Sequence, residues 1–153
     1  MSSRRNEIEM TDDELLAFLA ERMVMQCATL GPRGLPHLVP LWFVSEGTEL
    51  LGWTYAKSQK ARNLERDPRA TIGIEDGVQY HELRGVMFEC DVRVERDPDQ
   101  VEGYGLRLFE RYAGELGPEI RAMVAKQAQK RIGMRFVPKR ISSWDHGKLG
   151  GAY

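Results

Sequence analysis

The sequence predicts an α+β domain, mainly β, built on six to seven mostly antiparallel strands in a barrel-like sheet with helices at its periphery. Three observations predict it. Strand-like apolar runs recur from residue 24 onward. Tight-turn signals join most of them: Gly31-Pro32-Arg33-Gly34, Glu46-Gly47 and Asp76-Gly77. Helical patterns are few and do not alternate with the strands one for one, which disfavours a βαβ fold. A length of 153 residues suits one domain, 1–153, with a sizeable core.

Residues 1–10 read as a polar leader. Thr11 and Glu14 form a capping-box pattern, and Leu15, Leu16, Phe18 and Leu19 supply the helical stripe behind it. Val24 to Leu30 is the first strand. Pro36 to Val44 is the second, and its prolines predict an edge or a bulge near Pro40. Glu49 to Thr54 is the third strand, followed by a short helix capped by Ser58 and stopped by Asp67-Pro68. Ala70 to Glu75 is the fourth. Tyr80 to Glu95 reads as one long strand, with Val86, Phe88, Cys90, Val92 and Val94 on one face. Asp97-Pro98 opens a helix that Gly114 breaks, and Pro118 to Lys130 is a further helix, four in all. Ile132 to Val137 and Ile141 to Trp144 are the last strands, and 145–153 is a Gly-rich tail.

Composition excludes several function classes. Apolar residues make up 42 % and charged residues 29 %, and the net charge of −1 gives no bulk field for nucleic acid or a membrane surface. No apolar run reaches the roughly 20 residues that span a bilayer. The N-terminus lacks the apolar stretch of a signal peptide. Cys27 and Cys90 are read as buried free thiols in a reducing cytosol, so a cytoplasmic protein is expected. His37, His81 and His146 are far apart and no cysteine stands at ligand spacing, so no metal site is expected. There is no Gly-x-Ser-x-Gly elbow, no Gly-x-Gly-x-x-Gly and no Walker pattern. No catalytic residue is assigned.

The informative stretch is the start of the short helix. Helix N-termini carry partial positive charge and favour acids in the first turn. Here Lys57 and Lys60 flank the Ser58 cap, Arg62 follows, and no acid precedes Glu65. Two readings stand: a solvated lysine-rich turn, or an anion site in which backbone N–H groups and lysines hold a phosphate. Lys60, Ala61 and Leu64 share one helical face, so Lys60 starts near the core and needs an anion or a route to solvent. A second basic run, Lys126, Lys130, Arg131, Arg135, Lys139 and Arg140, is either a solvated face or the seat of an anionic ligand tail. The Pro36–Trp42 strand is either an ordinary edge or a set of unpaired backbone groups that can meet the edge of a planar ring.

Four segments together resemble a known family: residues 31–43 (Gly-Pro-Arg-Gly-Leu-Pro-His-Leu-Val-Pro-Leu-Trp-Phe), 57–70 (Lys-Ser-Gln-Lys-Ala-Arg-Asn-Leu-Glu-Arg-Asp-Pro-Arg-Ala), 83–86 (Leu-Arg-Gly-Val) and 141–150 (Ile-Ser-Ser-Trp-Asp-His-Gly-Lys-Leu-Gly). The chain is similar, from about Met10 to Tyr153, to the pyridoxamine 5'-phosphate oxidase-like split β-barrel proteins. Within them it is most similar to the flavin/deazaflavin oxidoreductase B branch, the F420-dependent reductases. The resemblance implies a homodimer of split β-barrels with cofactor sites at the interface. It implies that Lys57, Ser58, Gln59 and Lys60 hold a cofactor phosphate, that His37, Val39, Pro40 and Leu41 lie along the deazaflavin ring, and that Trp53, Thr54, Tyr55 and Ala56 lie beneath it. Tyr80 and Val78 would come from the partner subunit. Trp144 and Lys148 belong to the matching C-terminal segment.

The fold family's FMN-dependent oxidase branch carries an arginine-rich phosphate pattern and a C-terminal substrate pattern that this chain lacks, with Ser58 standing where a cation is usual. The resemblance therefore implies an F420H2-dependent reductase that passes a hydride to an electron-poor small molecule such as an enone, a quinone or a tetrapyrrole-like acceptor. The alternatives are an FMN-dependent oxidoreductase and a non-catalytic protein that binds or carries F420, FMN or haem. The basic run, or Arg33, would receive the anionic cofactor tail, and Tyr80, His37 or water would supply any proton.

Overall fold

A computed structural model describes residues 3–151. Among them are five α-helices, seven β-strands and two short 3-10 turns. The strands are β1 (Met25–Leu30), β2 (Pro36–Leu41), β3 (Val44–Glu46), β4 (Glu49–Tyr55), β5 (Arg69–Asp76), β6 (Arg84–Glu95) and β7 (Arg131–Asp145). They form one antiparallel sheet in the order β2-β1-β5-β6-β7-β4-β3.

That order forces the sheet to curl. Strands β2 and β3 occupy opposite edges, yet only Trp42 and Phe43 connect them. Laid flat, the two edges would stand roughly 29 Å apart, six spacings of about 4.8 Å. Two intervening residues let the flanking Cα atoms separate by at most about 11 Å. The edges therefore meet, and the sheet is a barrel left partly open between them. Phe43 seals the crossing inside, fully buried, and the Trp42 carbonyl lies over Gly52 of β4.

The expected single strand from Pro36 to Val44 is thus two strands on opposite edges, because the chain changes edge after Leu41. Its prolines sit where missing N–H donors cost least, on an edge strand. The two expected final strands are instead one strand of 15 residues. A register shift between Glu89 and Cys90 lets β7 bulge around Pro138, so the proline interrupts the ladder without ending the strand.

The interior is built by alternation. On β6, Val86, Phe88, Cys90 and Val92 point inward as expected, against Ile72 and Ile74 of β5 and Met134 and Phe136 of β7. The expected start of that strand at Tyr80 is corrected: Tyr80–Glu82 forms a 3-10 turn, closed by a bond from the Gln79 N–H to the Glu82 carboxylate (3.4 Å), and β6 begins at Arg84.

Helix α1 (Arg4–Ile8) lies within the expected polar leader. Helix α2 (Asp12–Glu21) opens with the expected capping box: the Thr11 hydroxyl accepts from the Glu14 N–H (3.2 Å), and the Glu14 carboxylate from the Thr11 N–H (2.8 Å). It buries Leu15, Phe18 and Leu19 against the barrel interior, while Leu16 is exposed. Helix α3 (Gln59–Arg66) follows β4. Helices α4 (Pro98–Ala113) and α5 (Pro118–Ala128) pack together and cover the outer side of β4 and β7. The fit is close: a Cβ on Gly105 would lie 2.4 Å from the Trp53 ring. After β7, His146–Leu149 forms the second 3-10 turn, where a Gly-rich tail was expected; Ala152 and Tyr153 lie outside the described residues. Among the described residues, no helix is long and apolar enough to cross a membrane.

Candidate functional site

The turn from β4 into α3 is built from a few short-range bonds. Tyr55 ends the strand, its carbonyl accepts from the Ser58 N–H (2.9 Å), and the Ala56 N–H donates to the Lys130 carbonyl (2.9 Å). Ser58 caps the helix as expected: its hydroxyl oxygen accepts from the Ala61 N–H (3.2 Å) and from the buried Thr54 hydroxyl (3.2 Å). The Arg62 N–H reaches the Ser58 carbonyl (3.2 Å). The N–H groups of Gln59 and Lys60 remain at the open end of the helix, without an intrahelical acceptor.

Asn63 fixes α3 to the sheet. It is fully buried, donates to the Thr29 hydroxyl of β1 (3.0 Å), and accepts from Gln59 (2.8 Å) and Arg66 (2.6 Å). Ala61 and Leu64 are buried on the same side, as their spacing predicts.

Lys60 is half-buried and Lys57 exposed, and among the described residues neither meets a carboxylate. Burial holds the Lys60 ammonium below the usual lysine range, and the nearby Arg131 guanidinium pushes the same way. The Cys27 thiolate would oppose this. Burial, however, pushes the Cys27 thiol up to about 12, so the sulfur is uncharged at neutral pH and offers Lys60 no counter-ion. Both cysteines are buried and free, and Cys90 is likewise pushed up to about 12 by burial, which makes neither a nucleophile.

Strand β2 runs beside β1, the strand that Asn63 of α3 is bonded to. Its alternation turns His37, Val39 and Leu41 inward, half-buried, and Pro36, Leu38 and Pro40 outward. His37 stands opposite Thr29 and Val39 opposite Cys27, so both lie on the part of β1 that α3 packs against. Because β2 ends the sheet, one side of its backbone has no strand partner among the described residues. The His37 Nδ1 atom is buried and has no hydrogen-bond partner among the described residues. A buried polar atom left unmatched is costly, and a ligand polar group would satisfy it.

The remaining expected residues divide. Trp53 and Tyr55 point to the side opposite Thr54 by strand alternation, and Trp53 packs under α4 against Gly105 and Phe109. Val78 (86 % exposed) and Tyr80 (54 % exposed) lie in the β5–β6 connection. That connection follows the end of β5 beyond Gly73, which pairs with Gln26 near the start of β1, whereas α3 is bonded to Thr29 near its end. Lys148 is tied to Glu14 (2.5 Å) and the Glu9 carbonyl (2.8 Å), which joins the C-terminal turn to the N-terminal segment, and Trp144 packs on Gly85 of β6.

The basic run is dispersed by the sheet. Arg135 pairs with Glu46 (2.9 Å) and Glu49 (2.8 Å), and Lys139 with Asp91 (3.6 Å). Arg131, by contrast, lies opposite Tyr55 in the β4–β7 register, beside the α3 turn. Its place is set by strand pairing, which no spacing along the chain reveals.

Comparison with known proteins adds four likenesses. The family profile described as pyridoxamine 5'-phosphate oxidase matches residues 11–145. A protein of Mycobacterium tuberculosis (strain CDC 1551 / Oshkosh) named F420H(2)-dependent biliverdin reductase is 29% identical over 123 residues, covering 79% of this chain and 86% of that protein. A crystal structure of a conserved hypothetical protein from Mycobacterium tuberculosis is 39% identical with a TM-score of 0.90, covering 99% of this chain and 95% of that one. The haem storage protein of Vibrio cholerae shares the fold, at 24% identity and a TM-score of 0.66, covering 84% of this chain and 91% of that one.

Proposed function

The chain belongs to the pyridoxamine 5'-phosphate oxidase family, and from that premise we propose that it is a cytoplasmic F420H2-dependent reductase of an electron-poor small molecule, an enone, a quinone or a tetrapyrrole-like acceptor. One observation carries the reading: among the described residues, Lys57 and Lys60 stand without carboxylate partners at the open end of α3, and His37 Nδ1 on the edge strand β2 is buried without a hydrogen-bond partner. These two features suit a ligand with a phosphate at one end and a planar polar ring at the other. The biliverdin reductase relative supports F420 over FMN as that ligand.

The residues divide the work by chemistry. Lys57, Lys60, the Ser58 hydroxyl and the Gln59 and Lys60 N–H groups would hold the phosphate. Val39, Pro40 and Leu41 would lie along the ring through backbone and apolar contacts, and His37 Nδ1 would take a polar atom at its edge. Thr54 keeps Ser58 oriented by its 3.2 Å bond. Tyr55 and Ala56 set the turn that aims the helix, and Trp53 backs it from the other side of β4. When bound, the reduced deazaflavin supplies the hydride, and the protein supplies position and electrostatics. Val78 and Tyr80 would complete the site from a second copy, at a homodimer interface.

Anaerobic assay of F420H2 with biliverdin, enones and quinones tests this. Recovery of the oxidised cofactor's absorbance, dependent on both protein and acceptor, is the expected result. Tight F420 binding without turnover on any acceptor would make the protein a carrier instead.

A further inference from the structure

Resting on the reading that sets His37 at the edge of the ligand ring, we propose that a one-way hydrogen-bond chain, from Arg66 through Asn63 to Thr29, holds His37 as its Nε2–H tautomer, so that Nδ1 is an acceptor and Nε2–H a fixed donor to an acceptor oxygen of the ligand. The direction of the chain is set at Arg66, because a guanidinium only donates. Arg66 reaches Asn63 Oδ1 at 2.6 Å, and the Gln59 side chain donates to the same oxygen at 2.8 Å. Asn63 is fully buried, and turning its amide over would set its NH2 against the guanidinium. Its Nδ2 therefore faces β1 and donates to the Thr29 hydroxyl at 3.0 Å. Thr29, 2 % exposed, accepts that bond and has its own proton still to place. No described residue accepts it.

His37 pairs directly with Thr29 in the β1–β2 register, and both side chains turn inward. The Cβ atoms of such a pair stand roughly 4.5–5.5 Å apart. Across that gap lie an unplaced hydroxyl proton and the buried, unpartnered Nδ1. The two complement each other when Nδ1 is bare, and a small turn of the ring or one bridging water joins them. An Nδ1–H would instead set two buried donors face to face, each unmet. The ring proton therefore belongs on Nε2, which has no bond to a described residue and is not buried. Nδ1 stays an acceptor, for the Thr29 proton or for an N–H of a seated ligand. His146 is the contrast within the chain: its Nδ1 meets the Tyr80 carbonyl at 2.9 Å, and since a carbonyl only accepts, that Nδ1 carries a proton.

A purely structural chain would fix α3 to β1 and leave the His37 tautomer free. Nitrogen-15 NMR of the histidine-labelled protein at about pH 8, above the ordinary histidine value of ~6.5, reads the tautomer of each neutral ring. The expected result is Nε2–H for His37 and Nδ1–H for His146, with the His37 signals assigned by their loss in His37→Gln. Thr29→Ser should keep the His37 tautomer, and Thr29→Val should release it to a mixture. An Nδ1–H or mixed His37 in wild type, or a Thr29→Val spectrum unchanged at His37, overturns the chain. Should Thr29→Val fail to fold, Asn63→Asp carries this arm: a carboxylate takes the Thr29 proton itself, so the same release is expected, and its absence overturns the chain. The donor role is read from F420 dissociation constants measured by fluorescence. His37→Leu should weaken F420 by about tenfold, and His37→Gln, whose amide NH2 replaces Nε2–H, by no more than about threefold. Equal losses, or none, overturn the donor role. A wild type with the predicted tautomers that binds neither F420 nor FMN overturns the cofactor reading and the donor role while the chain stands. A wild type that prefers FMN overturns the deazaflavin assignment, and FMN with the same variants then tests the donor.

Discussion

At Lys60 an ammonium sits half-buried beside Arg131, with no carboxylate to meet it among the described residues. Affinity and stability therefore pull apart at this side chain. Lys60→Ala is expected to weaken F420 binding by about 1.5–3 kcal/mol, roughly ten- to hundredfold, in a fluorescence titration. Lys60→Met removes a charge the unliganded fold holds poorly and is expected to raise its unfolding free energy by ~0.5–1 kcal/mol in urea. The pH dependence follows from the lowered pKa. Between the folded value and the ordinary lysine value, the folded chain has lost a proton that the unfolded chain keeps. The Lys60 contribution to stability therefore rises with pH there. Phosphate binding needs the ammonium, so affinity falls over the same window below the ordinary lysine range, and Lys60→Met should flatten that fall. The Ser58 cap and the flanking lysines were legible because capping and charge placement are local. Arg131 and the unmatched His37 Nδ1 were not, because one depends on the β4–β7 register and the other on what packs around β2.

Elements show the same division between local and long-range causes. The α2 capping box, the Asp97 and Pro98 start of α4 and the inward face of β6 follow from short-range rules, and the fold keeps them. Pro138 misled because a bulge opposite Glu89 and Cys90 absorbs it, which no local pattern announces. Trp42 and Phe43 misled because their apolar run continues the strand pattern while the chain is changing edges. Arg111 shows how the ends of elements are joined. Its guanidinium donates to the carbonyls of Phe43 (2.7 Å), Leu19 (2.9 Å), Ala20 (3.0 Å) and Arg22 (2.5 Å), closing the C-terminus of α2 onto the barrel crossing. Tyr112 adds a bond to the Met23 carbonyl and stacks on Trp42 at 4.2 Å. Arg111→Met should lower stability by ~2–4 kcal/mol, read as a lower urea midpoint at unchanged slope. Gly105→Ala would drive a methyl into Trp53 and Val124. A loss of ~1–3 kcal/mol is expected, together with weaker cofactor binding because Trp53 backs the α3 turn.

At the scale of the whole molecule, the short β2–β3 crossing makes the barrel, α3 is bonded to β1 at Thr29, and the Val78–Tyr80 connection follows β5 beyond its pairing with Gln26. On the proposed reading, Val78 and Tyr80 reach the site from a second copy. Sedimentation velocity should then show a species of about twice the 17.5 kDa chain. Val78→Glu, at an exposed position, should dissociate it and weaken the cofactor at the same time. The family and the barrel were legible from motifs spread over most of the chain, whereas the identity of the acceptor lies in pocket shape that motifs do not encode. The most direct test of the central claim is a fluorescence titration of the purified protein with F420 and, separately, with FMN. Micromolar or tighter F420 binding, at least tenfold stronger than FMN and weakened by Lys60→Ala, is the predicted result. Preference for FMN, or F420 affinity indifferent to Lys60, would contradict it.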